Sequence, residues 1–586
     1  MAFKGDSKNT NGISATVRLY YGKGLQQVYE HHPTRGYLST DDPRAHFGLG
    51  TNDRLDSLRV KWPDGKEQLL TNINADQVLS LSYKDAGNGI MPPSAAPFFI
   101  NAAASYGIQF KPKERDFVDY NIQATIPHKL SQYGPGIAVG DIDNNGFDDF
   151  YIGGTSGTPG VFFMQNAAGK FTLDSARFTQ KDDPLYEDMG VLFFDADGDS
   201  DLDLYLVSGS YEIPPNNPIS QDRLYINDGK GIFQKSSNLL PSEHVNGSCV
   251  RAADFDGDGD LDVFVGGRVV SGAYPSAPQS FIWRNDGGKF TDVTAQYCPM
   301  LQHAGMITDA LWSDFDNDGK LDLILTGEWM PITFLKNTGV AFNDVSPATG
   351  ILDHFGWWNS LVSGDFDNDG DIDYIAGNLG LNTNYTAKPD QPLTIFAKDL
   401  DKNGSLDAMV FCYMKAVDGT MKSFPMSTKD DLVAQMVSTR KKYPTFKSYG
   451  LATIDDLWTK PDREGAITMQ ANDMATSYIE NKGNGQFSIK PLPLAAQEAP
   501  VYGMMSKDID GDGNLDLLMV GNDYSMDPYS GRHDAFMGLC MRGDGKGGFQ
   551  PMSVAQSGFF VDGDAKGLAT IHTAKNEDII VGTQAA

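Results

Sequence analysis

Apolar residues in this chain come in short bursts, and the bursts pair off around acidic loops. The clearest pairs are GIAVGDIDNNGFDDFYIGG from Gly136, GVLFFDADGDSDLDLYLVSG from Gly190 and CVRAADFDGDGDLDVFVGG from Cys249. ALWSDFDNDGKLDLILTG from Ala310, LVSGDFDNDGDIDYIAG from Leu361, TIFAKDLDKNGSLDAMVF from Thr394 and GMMSKDIDGDGNLDLLMVG from Gly503 follow the same rule. The apolar runs are short and end at turn residues, so they predict strands rather than helices. The first Asp of each loop falls at 141, 195, 254, 314, 365, 399 and 508, giving intervals of 54, 59, 60, 51, 34 and 109 residues. Four of the intervals lie at 51–60 residues, the signature of a repeating supersecondary unit.

Most units add a second hairpin closed by a Gly-rich turn: MQNAAGKF near Gln165, YINDGKGIF near Asn227, WRNDGGKF near Asn285, IENKGNGQF near Asn481 and MRGDGKGGF near Gly543. Such turns supply the positive φ that tight strand connections need. Four short strands per unit make a propeller blade. KGLATIHTAKNEDIIVGT from Lys566 reads as an eighth first hairpin without the acidic loop, and PFFINAAASYGI from Pro97 as the strand that closes the ring. The 34-residue interval is too short for a blade. The Asp399 hairpin is therefore expected to be the second half of the Asp365 blade, which favours seven blades, with eight as the alternative.

Two regions depart from the repeat. Residues 13–84 carry SATVRLYYG, QQVYEHHP, DSLRVKWPDGKEQLLTNI and DQVLSLSY, alternating strands with a turn at Pro63-Asp64-Gly65. They predict a small β-sandwich spanning 1–90, followed by a Gly/Pro/Ala linker at 85–96 and a propeller over 91–586. The 109-residue interval holds an insertion at about 427–460, with helical spacing in STKDDLVAQMVSTRKKY and again in KSYGLATIDDLWT. The fold class is thus all-β: a β-propeller with a small N-terminal β-sandwich and a short helical insertion.

Composition sharpens the chemistry. The net charge is −30, from 47 basic and 77 acidic residues, and only 11 of the acids are Glu. A solubilising surface would use both acids, so the excess of the short one points to tight loops or metal ligation. The acidic balance excludes a nucleic-acid partner, which needs a basic footprint. No run of about 20 apolar residues exists to cross a membrane. The four cysteines at 249, 298, 412 and 540 form no CxxC and read as free buried thiols, with one long-range disulfide as the alternative. The opening MAFKGDSKNTNG has no apolar signal core; either the protein stays inside the cell or the sequence is an interior fragment of an exported chain.

In DFDGDGDLD, acids stand at positions 1, 3, 5 and 9, with Gly259 at position 6. Carboxylates this short converge only if the chain curls around a cation, and Ca²⁺ takes six to eight oxygens at about 2.3–2.6 Å. The spacing copies the start of an EF-hand, but position 12 is Val265 rather than Glu and the flanks are β-rich. The expected Ca²⁺ ligands are Asp141, Asp143, Asn145 and Asp149; Asp195, Asp197, Asp199 and Asp203; Asp254, Asp256, Asp258 and Asp262; Asp314, Asp316, Asp318 and Asp322. Asp365, Asp367, Asp369 and Asp373, then Asp399, Asp401, Asn403 and Asp407, then Asp508, Asp510, Asp512 and Asp516 complete the set. Up to seven structural Ca²⁺ ions would be held. Ser200 replaces the expected Gly in the second loop, which predicts a strained turn or a weaker site. Extracellular calcium modules work at about 10⁻⁴–10⁻³ M, which argues for an exported protein.

These loops resemble FG-GAP/VCBS repeats. HHPTRGYLSTDDPRAHFGLG at 31–50, with DSLRVKWPDGKEQ at 56–68, resembles the ASPIC/UnbV domain. The combination is similar to the family of cartilage acidic protein and of large Bacteroidetes surface proteins. The resemblance implies an exported chain at the cell surface or outer membrane. It also implies a start inside the ASPIC/UnbV domain, so that a signal or lipid anchor would lie in a missing N-terminal part. It implies no single activity.

Three functions are compatible with this reading. The first is a calcium-stabilised surface module for binding or adhesion to a glycan or an envelope or extracellular protein, with Trp329, Trp357, Trp358, Asn359, Asn378 and Asn382 as candidate contacts. The second is a carbohydrate-active enzyme, a glycosidase or lyase, for which Arg532, His533 and Asp534, or His31, His32, Arg35 and His46, are the nearest candidates. The third is a non-catalytic scaffold of an outer-membrane complex. No catalytic motif stands out, so no catalytic residue is assigned. Arg542-Gly543-Asp544 reads as turn chemistry.

Overall fold

The computed structural model describes residues 1–87, 96–180 and 185–585. The expected linker falls largely on residues 88–95, outside that set. The chain forms two compact units, Met1–Ala96 and Pro97–Ala586.

In the first unit, four antiparallel strands follow the order Leu25–Glu30, Thr16–Tyr21, Arg54–Lys61, Glu67–Asn74. Alternation sends Val17, Leu19, Leu58 and Val60 inward, where all are fully buried. The predicted turn is present: Gly65 has φ +86 and donates its N–H to the Trp62 carbonyl at 2.9 Å. The expected sandwich is reduced on its second side to one parallel pair, Ala2–Lys4 with Ser80–Ser82. Phe3, Leu81 and Trp62 join the core there.

The second unit is built from small antiparallel sheets. Its seven leading strands are β1 (Ile137–Gly140), β2 (Asp188–Phe194), β3 (Gly247–Ala253), β4 (Met306–Ser313), β5 (Ser360–Gly364), β6 (Val501–Lys507) and β7 (Ala565–His572). The first six each lead a sheet of four strands paired in sequence order, the fourth sheet gaining Phe355–Trp357 at its side. The second strand of each sheet is sandwiched between neighbours, and Asp203–Ser208 and Asp262–Gly267 are buried at every position, hence their unbroken apolar runs. All five quoted Gly-rich turns join the third and fourth strands of a sheet. The leading strands lie side by side in the order β1 to β7, and β7 lies beside β1.

Three expectations are corrected. The Asp399 hairpin is not the outer half of the Asp365 sheet; Ser477–Asn481 and Phe487–Pro491 fill that role. Leu393–Lys398 and Asp407–Lys415 instead belong to a separate four-stranded sheet with Met421–Pro425 and Ile467–Ala471. The insertion is therefore a sheet plus helices, larger than 427–460. Its helical part is five short segments rather than two helices, because Thr428, Thr445, Thr453 and Thr459 each start a new turn through a capping box. Leu432, Met436, Tyr443, Tyr449 and Trp458 seat it on Met409 and Phe411. Finally, residues 97–108 form no strand. Ala103–Tyr106 is one helical turn, stopped by Gly107 at φ +84, and the segment joins the ring through side chains: Tyr106 and Ile108 pack with Phe150, Phe163 and Ile571.

Candidate metal centres in the repeat loops

Six of the acidic loops start where one of β1 to β6 ends, the Asp399 loop starts at the end of Leu393–Lys398, and in all seven the ninth residue begins the next strand. The loop closes on its first carboxylate. Asp254 Oδ1 accepts the N–H of Gly257 at 2.7 Å and of Asp258 at 3.1 Å, and its Oδ2 accepts Gly259 N–H at 3.1 Å. Asp314, Asp365 and Asp399 accept the N–H groups of positions 5 and 6 in the same way, and Asp508 those of positions 4, 5 and 6. Positions 4 and 6 take left-handed φ in every loop: Asn144 and Gly146, Gly198 and Ser200, Gly257 and Gly259, Asn317 and Gly319, Asn368 and Gly370, Lys402 and Gly404, Gly511 and Gly513. Ser200 holds φ +74 with a side chain in place, at a cost of about 1–2 kcal/mol. Ser200→Gly is expected to raise stability by about 1 kcal/mol, read as a shifted urea midpoint; an unchanged midpoint would mean the turn carries no strain.

Carboxylate oxygens of Asp141, Asp143 and Asp149 lie within 4.8 Å of one another, as do those of Asp254, Asp256 and Asp262, of Asp314, Asp316 and Asp322, and of Asp365, Asp367 and Asp373. In the second loop the converging trio is Asp195, Asp197 and Asp199. Buried oxygens among them, Asp143 Oδ1, Asp149 Oδ2 and Asp316 Oδ1, have no hydrogen-bond partner. Burial pushes the position-9 acids Asp149, Asp203, Asp262 and Asp322 up to about 7 and Asp373 to about 6, and raises Asp407 and Asp516. Burial, with nearby carboxylates, also raises Asp197, Asp256 and Asp367 at position 3. A group of hard oxygens at this density suits a hard divalent cation.

Position 9 does a second job. Asp262 Oδ1 accepts Asn285 N–H at 2.8 Å and its Oδ2 accepts Phe255 N–H at 3.2 Å, tying its loop to the third strand. The third-strand Asn then links neighbouring sheets. Asn285 Nδ2 donates to Leu261 O of its own loop at 3.2 Å and to Ala196 O of the preceding one at 2.8 Å. Asn227, Asn337 and Asn481 do the same, and Gln165 does so across the β1/β7 join through His572 O. Sequence reasoning saw these Asn residues only as turn formers. Their recurrence just before the Gly-rich turns at Asn227, Asn285 and Asn481 was the available signal.

The residue before that Asn, or before Gly543 at the matching place, adds charge to some loops. Lys336 Nζ contacts Asp316, and lies 3.1 Å from Asp318 Oδ2. Arg542 Nη2 lies 2.5 Å from Asp510 Oδ2, which commits the Arg of Arg542-Gly543-Asp544 to the repeat. Glu480 brings a further carboxylate towards Asp367.

The other candidate contacts are placed differently from expectation. Trp329, Trp357 and Trp358 are at most 4% exposed and form core: Trp329 Nε1 donates to Tyr274 OH at 2.6 Å, and the Trp357 ring packs tilted against Tyr385, centroids 5.2 Å apart. They offer no platform for a sugar. Asn378 is buried and holds backbone at Trp357 and Leu379, while Asn382 is exposed. Asn359 alone faces the central cavity. His533 is buried, whereas Arg532 lies over the Tyr524 ring and Arg532 and Asp534 are exposed. In the first unit His31 is buried against Phe3, His32 pairs with Glu30 and His46 is exposed. All four cysteines are free and buried.

At the start end of the leading strands, away from the acidic loops, sits a buried ionic network. Glu328 accepts hydrogen bonds from His128 Nε2 at 2.8 Å, Arg268 Nη2 at 2.8 Å and Tyr274 OH at 2.5 Å. Burial alone would raise the Glu328 carboxyl, but His128 and Arg268 hold it at about 2. Burial opposes the His128 charge too, and Glu328 overcomes it and raises the imidazole.

A β-rich unit of repeated four-stranded sheets with acidic loops is the architecture of a repeat protein, and the comparisons agree. Residues 5–88 match the family model described as ASPIC and UnbV, and residues 207–265 and 314–376 match that of the FG-GAP-like repeat. Among curated proteins the chain is similar to cartilage acidic protein 1. The Xenopus tropicalis protein is 31% identical over 37% of this chain and 32% of its own length, and the Mus musculus protein is 30% identical over 36% and 33%. The match thus spans about a third of these relatives. Among solved structures, the one described as YCF48 bound to D1 peptide covers 81% of this chain and 97% of that chain, at 7% identity and a TM-score of 0.36. No helix among the described residues is long and apolar enough to cross a membrane.

Proposed function

We propose that this chain is an exported, calcium-stabilised β-propeller of seven blades that acts as an extracellular or cell-surface module for binding and adhesion to a glycan or protein partner. The seven leading strands are the inner strands of the blades, and the insertion sheet is carried by the fifth. The observation that carries the reading is the convergence of carboxylates in loop after loop, the ninth-position acid buried in four of the trios, with oxygens at Asp143, Asp149 and Asp316 left without a partner. Unpaired buried acids are costly, and Ca²⁺ relieves that cost at each loop at once. The FG-GAP-like and ASPIC/UnbV matches support an extracellular setting. The candidate for a partner site is the face opposite the acidic loops, because the loops themselves are occupied in holding the ring.

The test is binding of the full chain to a glycan array in millimolar calcium, with an EDTA control and a parallel pull-down on envelope and matrix proteins. Calcium-dependent capture of a defined glycan or protein is the expected result. Capture that EDTA leaves unchanged, or none by a folded, calcium-loaded sample in either arm, would overturn the reading.

Within this reading, the fourth loop is a weakened calcium site, since the Lys336 ammonium already pairs with Asp316 and Asp318. Lys336→Met is expected to tighten that loop by about tenfold, the equivalent of about 1.4 kcal/mol. Isothermal titration would show the tighter site. An unchanged isotherm would mean that Lys336 does not compete with the ion.

A further inference from the structure

The seven leading strands surround a cavity of about 340 Å³, near the lower end of small-molecule sites, about 300–1,000 Å³. Every one of β1 to β7 lines it. Its charged lining is Arg251, Arg268 and Lys566 against a single acid, Asp309, an unusual balance in a chain of net charge −30. Arg268 is 7% exposed and gives Nη2 to Glu328, but its Nη1 has no acceptor. Asn359 Nδ2, which lines the same cavity, also lacks one. Both unmet groups are donors, so the missing partner is an acceptor.

The rest of the lining says what the acceptor is attached to. Ser248, Thr308 and Ser360 spend their hydroxyl hydrogens on the carbonyls of Gly266, Trp358 and Val501. Their oxygen lone pairs remain to accept from hydroxyls. Tyr133 and Tyr502 stand with ring centroids 5.8 Å apart, and Lys566 Nζ lies 3.8 Å from the Tyr502 centroid. Lys566 is also paired to Asp564 at 2.7 Å, and Arg251 to Asp309, so these cations are held in place rather than free to follow a ligand.

We propose that this central cavity binds a sugar acid: one carboxylate, received by Arg268 and Asn359, on a body of hydroxyls received by Ser248, Thr308 and Ser360. The proposal rests on the binding-module reading above and names its ligand class and position. The sugar acid is either free in solution or the terminal uronic residue of a glycan chain.

The experiment is titration of the calcium-loaded full chain with glucuronate, followed by calorimetry and by tyrosine fluorescence. Glucose and acetate serve as controls, and a glucuronate-terminated disaccharide forms a separate arm. Saturable glucuronate binding is expected, with glucose and acetate each at least about tenfold weaker, since a charge-assisted hydrogen bond is lost with the first and the hydroxyl contacts with the second. Tighter binding of the disaccharide marks a glycan end as the source, and equal or weaker binding marks a free acid. Arg268→Lys, which keeps the charge beside Glu328, and Asn359→Leu should each weaken glucuronate by about tenfold while melting temperatures stay within a few degrees. Absence of saturable binding by folded protein, equal binding of glucose, or unchanged affinity in both variants would overturn the proposal. A calcium-dependent array hit that survives both variants would remove the cavity from the account and leave the surface-module reading standing.

Discussion

Chelation with EDTA is expected to lower the melting temperature of the repeat unit by about 10 °C, with calcium restoring it and magnesium doing so poorly. A site at tenfold its Kd contributes roughly 1.4 kcal/mol, so seven loops contribute on the order of 10 kcal/mol. For a unit the size of Pro97–Ala586, at about 2.1 cal/mol/K of unfolding entropy per residue, that corresponds to roughly 10 °C. The effect is spread around the ring because the loops are linked. Asp262 holds its own third strand, and Asn285 joins that loop to the one before it. Losing the ion at one loop therefore loosens the next. Magnesium demands near-octahedral geometry and gives up water reluctantly, which the curled nine-residue loops do not suit. A melting curve that EDTA leaves in place would show that first-position hydrogen bonds alone, such as Asp254 to Gly257 and Gly259, suffice to close the loops.

Glu328→Gln should cost about 3–5 kcal/mol, because it leaves the buried Arg268 guanidinium without its counter-charge. Glu328 is 4% exposed and takes hydrogen bonds from His128, Arg268 and Tyr274, with Trp329 in turn donating to Tyr274. These residues come from separate segments of the chain, so one carboxylate joins the segment before β1 to the ends of two sheets. The pH dependence has two limbs. Glu328 is held at about 2, below its ordinary 4.5, so its contribution is complete above about 4.5 and is lost as pH falls towards 2. His128 is raised above its ordinary 6.5, so its contribution is complete below 6.5 and is lost as pH rises through the elevated value. Tyr133, Tyr274, Asp523 and Arg268 are the other charged or titratable groups acting on this pair. Stability from the network should therefore be greatest between about pH 4.5 and 6.5. Urea midpoints across pH would show both limbs in the native chain and flatter ones in the Gln variant. A Gln variant as stable as the native chain would mean that Arg268 finds another partner.

Much of the fold was legible because the two strongest local signals agree. Alternation fixed the strands of the first unit, where Val17, Leu19 and Tyr21 point inward. In the second unit, the acidic loops and Gly-rich turns marked both hairpins of most sheets. The failures have physical causes. The Asp399 hairpin carries the same loop chemistry as the ring loops, so its sequence could not reveal that it leads a separate sheet. Only the length of chain between Asp373 and Ser477 shows that the partner strands return later. The segment after Pro97 is apolar like a strand, but Ala102, Ala103 and Ala104 favour a helical turn and its contacts are made by side chains. Trp357 and Trp358 lie beside polar residues in sequence and read as surface groups, yet tertiary packing buries both. The spacing of the acids picked out the converging trios at positions 1, 3 and 9 of four loops, whereas the position-5 residues expected beside them stay outside those trios and Asp199, not Asp203, completes the second. The Asn staples left a local signal that reads equally as turn chemistry, and the lining of the central cavity left none, because residues from all seven leading strands meet there.

The most direct measurement is calcium stoichiometry: equilibrium dialysis of the metal-stripped full chain against 1 mM calcium, followed by elemental analysis of the dialysed protein. The expected result is five to seven equivalents per chain, falling by about one when Asp256 and Asp258 are both replaced by Asn. Less than one equivalent bound by a folded sample would contradict the calcium reading and leave the acidic loops as metal-free turns.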